Sequence, residues 1–239
     1  MLHFDNKGLK PLKSFYLSYL KKGLAAYSSE SRQFDGTIKE KYAHDICARI
    51  HEIDNAFESL SLSVEYLRKT NFTNSEYSFS THHSFHFENF LLRLTSVVDR
   101  CYKVAGTSIL LKRKAIESND GNRYVLRELK LYSVGAVQAI ENINSVVKPL
   151  RKSRNQIAHQ AGYSNKNLNS LNMMFNIEEP ELLQEIENIM SIDDLRSLVI
   201  QDTLNLLEPI VEKLHCEVSQ LVESLSFIYQ DIVDIEGLE

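Results

Sequence analysis

The sequence predicts an all-α, antiparallel helical bundle, and three observations predict it. Apolar residues recur at alternating four- and three-residue spacing through several long stretches, the mark of one buried helix face. Only 8 Gly and 4 Pro occur in 239 residues, so sites for tight turns are few. No stretch beyond the first 35 residues shows the strict alternation of a half-buried strand.

The elements follow in chain order. Residues 1–36 form an N-terminal segment of uncertain structure, in which Lys13–Leu20 suits either a helix or an extended chain. Residues 37–239 read as a single helical-bundle domain. Its first helix spans Thr37 to Thr70, with Ile46, Ile50, Ile53, Phe57, Leu60, Val64 and Leu67 on one face. Asn71 to Ser80 is polar and reads as a loop. A second helix opens at Ser80 or Thr81, either of which suits an N-cap. Phe87, Leu91, Leu94, Val98, Cys101 and Ala105 keep its stripe, which runs, bent at Gly106, to about Glu117. Ser118–Asn122 is a tight connection. A third helix takes Arg123 to Val147, with Leu126, Leu129, Ala136, Ile140, Ile143 and Val147 inward. Pro149 suits the first turn of a new helix, which runs to about Ala161 and stops at Gly162. Tyr163 to Ile177, rich in Asn and Ser, reads as a long loop. A short helix over about Glu179–Met190 precedes a long one. From Ile200 this last helix holds the spacing through Leu204, Leu207, Val211, Leu214, Val218, Leu221, Leu225, Ile228, Ile232 and Ile235, with a mild bend at Pro209. Its stripe is read as a core face rather than an oligomer seam.

Composition narrows the class. Hydrophobic content of 43% and charged content of 25% are those of a globular protein. No segment approaches the ~18 uninterrupted apolar residues of a membrane span. The N-terminus has no basic region leading into an apolar run, so no signal peptide and no membrane partner are expected. Cys47, Cys101 and Cys216 each sit in apolar helical patterns and read as buried, reduced thiols of a cytoplasmic protein. The net charge of -5 hides an asymmetry. Lys103 to Arg154 holds 11 basic and 4 acidic residues, whereas Glu178 to the end holds 2 basic and 16 acidic. The first stretch suits a polyanion and the second repels one; equally, the two neutralise each other by packing.

The stretch that carries chemistry is Arg154-Asn155-Gln156-Ile157-Ala158-His159. A guanidinium offers a permanent charge and a planar fork of donors for phosphate oxygens. An imidazole takes and gives protons near neutral pH. On a helix Arg151, Asn155 and His159 share a face, while Arg154 lies about 140° round from His159. The two side chains therefore diverge within one chain, and a second copy of the helix would complete the site. The bland alternative is a structural pair in a last helical turn, where the dipole favours cations. His82, His83 and His86 form a second cluster. His82 and His86 have the i, i+4 spacing of a metal pair, but no further ligand stands at a suitable spacing, so a polar helix start is preferred. Asp99 reads as an exposed acid.

With Arg154, Asn155 and His159 in a helical setting, the chain resembles the HEPN superfamily of helical bundles. In those proteins an Arg, a polar residue directly after it and a His four to six residues on share the last core helix. The segment Phe85–Arg100 also resembles an earlier helix of bacterial members. The resemblance covers about 80–162. It implies an HEPN-like four-helix core there, and a metal-independent endoribonuclease acting as a homodimer, often a toxin or antiviral effector. His159 would move the proton of a ribose 2′-OH or of the leaving oxygen. Arg154 would stabilise charge on the phosphate, and Asn155 would orient either. Arg151 and Lys152 would hold the RNA backbone. No cofactor or metal is expected; the expected partners are RNA, a second copy, and an antitoxin or regulatory protein. The alternative is a non-catalytic HEPN-like module that binds RNA or a protein partner.

Overall fold

The computed structural model describes residues 2–28, 34–151, 153, 155 and 166–237. Among them are nine α-helices: α1 (Lys13–Tyr27), α2 (Ile38–Leu67), α3 (Phe79–Ser108), α4 (Arg113–Ile116), α5 (Gly121–Leu129), α6 (Val134–Val147), α7 (Lys166–Phe175), α8 (Pro180–Glu187) and α9 (Ile192–Asp234). Short 3-10 turns occupy His3–Asp5, Lys7–Leu12 and Lys148–Leu150. No strand occurs among the described residues. The chain divides into two compact units, residues 1–56, 96–145 and 214–239 in one, residues 57–95 and 146–213 in the other. α2, α3 and α9 each supply a stretch to both.

The first unit orders the uncertain N-terminus. The His3 backbone N–H donates to Asp54 Oδ1 at 2.8 Å, and its ring Nδ1 lies 2.7 Å from the same oxygen. The other carboxylate oxygen accepts from Phe4 N–H at 3.0 Å. Gly8 runs so close to α9 that an added Cβ would stand 2.6 Å from the Val222 carbonyl oxygen. Leu9 and Leu12 are fully buried, and at about 1.5–3 kcal/mol each they offset part of the entropy lost in ordering this segment. Lys13–Tyr27 is helix, which resolves the ambiguity left by the sequence. Thr37 and Glu40 then form a reciprocal cap at the start of α2: Thr37 Oγ1 accepts from Glu40 N–H at 3.2 Å, and Glu40 Oε2 accepts from Thr37 N–H at 2.9 Å. Deeper in, Tyr42 donates to the Ser108 carbonyl at 2.9 Å, and Ser108 donates to the Tyr229 hydroxyl at 3.3 Å.

Two long helices differ from expectation. α3 stops at Ser108 rather than near Glu117, because Leu110 takes φ 57°. Leu111 N–H then reaches back to the Gly106 carbonyl at 3.0 Å, closing the end as a Schellman turn without the usual glycine. Gly106 is no bend. It is a close approach, since a Cβ there would lie 2.9 Å from Ile116 and 3.0 Å from Val125. The stretch Arg123–Val147 is two helices, broken at residues 130–133. Ser133 Oγ accepts from Ala136 N–H at 3.1 Å and donates to the Ser224 carbonyl at 3.1 Å. A cap bonded at long range therefore overrides a continuous periodicity.

The second unit packs a core of Phe79, Leu168, Leu171, Met174, Leu195, Val199, Ile200 and Leu204. Three of these lie on α7, within the segment 163–177 expected to be a loop. Leu168, Leu171 and Met174 are spaced i, i+3, i+6 and buried, and their burial outweighs the low helix propensity of the intervening Asn and Ser. The cap of α3 is Ser78, whose hydroxyl accepts from Thr81 N–H at 3.2 Å, rather than Ser80 or Thr81. α9 begins at Ile192, where Ser191 Oγ accepts from Asp194 N–H at 3.0 Å, eight residues before the stripe starts. The thiols also divide: Cys47 and Cys101 are buried, but Cys216 is exposed. It follows Leu214 by two positions, which turns it away from the apolar stripe.

Candidate functional site

Val147 and Leu150 are buried, and Pro149 falls in the first turn of a 3-10 helix. They anchor the start of the Arg-Asn-x-x-x-His segment. Arg151, Ser153 and Asn155 follow in helical conformation, with Arg151 and Asn155 exposed and Ser153 partly so. Pro149 thus lies in a 3-10 turn, and α-helical conformation begins at Arg151, two residues after the expected start. Arg151 and Asn155 stand one turn apart on one face, and both residues are exposed. Such a pair suits phosphate and ribose oxygens. Lys152, Arg154 and His159 lie outside the described residues, as does the expected helix end at Ala161–Gly162.

The histidine cluster of α3 splits by face. His83 is buried and its Nε2 lies 2.9 Å from the Thr203 hydroxyl. Burial, with a smaller effect of His86, pushes its pKa down to about 4, so it stays neutral near neutral pH. His82 and His86 point the other way, each against an aromatic ring, Phe72 and Tyr66 respectively. His82 Nε2 is also 2.6 Å from the Ser75 hydroxyl. Each of the two rings thus stacks on an aromatic neighbour, and His82 is also hydrogen-bonded through Nε2. Among the described residues no group of three or more His, Cys, Asp or Glu side chains is placed to hold a metal ion. The rings around His82 and His86 were not foreseen. The available signal was the density of aromatic residues between Tyr66 and Phe87, which periodicity alone assigns to helix faces.

Some of the charge in both stretches is paired. Glu117 pairs with Lys103 and Arg113, and Glu128 with Arg127. In the acidic C-terminal stretch, Glu208 pairs with Arg68, Glu223 with Lys7 and Asp193 with Arg196. Asp99 is exposed, as expected. No described helix is long and apolar enough to cross a membrane.

A family model described as HEPN_Cthe2314-like HEPN matches residues 28–224. The match extends on both sides of the segment 80–162 and takes in α2 and most of α9. No curated protein matches the chain, and no solved structure matches it.

Proposed function

The chain belongs to the HEPN_Cthe2314-like HEPN family, and from that premise we propose that it is a metal-independent endoribonuclease whose site is built on Arg154, Asn155 and His159. The observation that carries the reading is the family match, which spans the whole Arg-Asn-x-x-x-His segment. Support also comes from the exposed, helical setting of Arg151 and Asn155 directly after a buried anchor. The basic run from Lys103 to Arg154 leads into the same segment, where it favours a polyanion.

In this reading the ribose 2′-OH is the nucleophile. His159 takes its proton or supplies one to the leaving 5′-oxygen. The 2′-oxygen forms a bond to phosphorus as the bond to the 5′-oxygen breaks, leaving a cyclic phosphate and a 5′-hydroxyl. Arg154 balances the charge that builds on the non-bridging oxygens. Asn155 orients His159 or the phosphate, and Arg151 and Lys152 hold the flanking backbone. The site forms between two copies of the chain. In the cell the protein acts in the cytoplasm as a toxin or defence effector, held in check by a separate protein.

The test is cleavage of RNA in EDTA by the wild type, Arg154→Ala and His159→Ala. The expected result is cutting of RNA but not of DNA, which lacks the 2′-OH, and a loss of roughly 10²-fold or more in each variant. Cutting that survives either substitution removes the proposed site. A wild type that binds RNA and cuts none favours the non-catalytic module.

A further inference from the structure

The connection between α2 and α3 is walled by stacked rings. His82 lies face to face on Phe72, with centroids 3.8 Å apart and planes 7° apart. His86 lies against Tyr66 at 4.5 Å and 21°. The two imidazoles are within 13° of parallel, with centroids 6.2 Å apart. Together with Tyr77, Thr81 and Phe85, the rings of Tyr66, His82 and His86 line an open cleft of about 490 Å³. Tyr77 is 70% exposed and Phe85 62%, so large apolar surface here faces solvent.

A second cleft of about 680 Å³ shares Tyr66 and His82 as its wall and is otherwise different in character. Arg68, Lys69, Thr70 and Asn71 line it; Arg68 is paired with Glu208, and Lys69 stands 4.0 Å from Glu65, outside the lining. The Lys69 ammonium sits 3.9 Å from the Tyr66 ring centroid, at the boundary of the two. Asn74, at φ 68°, gives the connection its left-handed turn.

The pairing of these clefts restricts the occupant. Near-parallel rings select a flat π-system over a branched aliphatic one. The cationic, hydroxyl- and amide-lined basin next door selects an anion joined to that ring. Both volumes lie in the range of small-ligand sites. Burial first, then His82 and Lys69, hold the His86 pKa below its usual value. Its neutral ring therefore offers one donor and one acceptor to a base edge.

We propose that the paired clefts bind one unpaired nucleotide, its base against Tyr66, His82 and His86 and its phosphate toward Lys69. The nucleotide belongs to a single-stranded RNA. That choice over a free nucleotide rests on the ribonuclease reading above; the base-and-phosphate chemistry does not. The clefts are made of different residues from the Arg154–His159 segment, so they serve to select or hold the strand.

The experiment measures binding by the full chain of a single-stranded oligonucleotide of about ten residues with 2′-O-methyl riboses, which a 2′-OH mechanism cannot cut. An abasic version of the same strand and AMP serve as comparison probes. Phe85→Ser and Tyr77→Ser act on exposed side chains, and thermal melting confirms that each variant folds. The expected result is a weakening of roughly 5- to 100-fold for the base-bearing strand in each ring variant, with abasic binding unchanged. Lys69→Gln weakens both strands and lowers the salt dependence of binding. If AMP displaces the strand with the strand's own affinity, the free nucleotide is the ligand; if only a large excess does so, RNA is. Equal binding of the two strands by the wild type, unchanged binding in folded ring variants, or no binding of any probe overturns the proposal. Cleavage is not read here, so an inactive chain that still binds through these rings separates this proposal from the catalytic one.

Discussion

His83 is held neutral and Glu40 is held charged, and both states cost stability when acid removes them. For His83 the folded pKa of about 4 lies below the usual 6.5. The unfolded chain takes up a proton first, so stability falls as pH drops from about 6.5 to 4. For Glu40, hydrogen bonds from Lys22 and Ser18 hold the carboxyl at about 2 against a usual 4.5. Its contribution is present above 4.5 and is lost as pH falls towards 2. Each limb can be no steeper than about 1.4 kcal/mol per pH unit for one proton. Thermal melts across pH 7 to 2 should therefore show two successive declines, the upper one made shallower by His83→Gln and the lower one by Glu40→Gln, with His86 and the other lowered carboxylates Asp35, Asp54 and Glu117 supplying the remainder. A melting temperature flat between pH 6.5 and 4 would mean that His83 charges freely. At this scale the motif was legible, because Arg154, Asn155 and His159 are neighbours in sequence. The Asp54–His3 clamp was not, because its partners are 51 residues apart.

Among the elements, α7 is the one where packing overrules composition. Asn and Ser dominate the stretch 163–177, yet Leu168, Leu171 and Met174 carry a helical repeat into the core of the second unit. Leu171→Ala should cost about 2–5 kcal/mol, measured by urea unfolding. Asn169→Ala, at an exposed position of the same helix, should be neutral or slightly stabilising. A segment that were a surface loop would show neither the loss nor the contrast. The opposite case is Arg123–Val147, whose stripe reads as one helix. The stop at residues 130–133 depends on the Ser224 carbonyl, which lies 91 residues away and leaves no local mark. Starts with a local chemical signal, such as Thr37 before α2 and Pro149 before the motif, were legible to within a residue or two.

For the molecule as a whole, the consequential claim is that two copies complete the site. Arg154 and His159 lie about 140° apart on an ideal helix, so a composite site takes the guanidinium from one chain and the imidazole from the other. Mixing Arg154→Ala with His159→Ala chains under conditions of subunit exchange should restore about a quarter of wild-type cleavage, since half the dimers are mixed and each carries one intact site. No recovery, in a mixture shown to exchange, would place both groups of a site in one chain. The charge asymmetry belongs to this scale too. A basic run before the motif and an acidic stretch after Glu178 bias where a polyanion lies along the chain.

Periodicity, capping residues and one short motif were enough to assign an all-α bundle and its superfamily, because a helix face and a cap are written in residues three or four apart. The break before α6 and the stacked walls around His82 and His86 were decided only by the packed chain. Each depends on side chains that meet across loops or between helices distant in sequence, and hydrophobic spacing within one helix carries no record of what that helix will face.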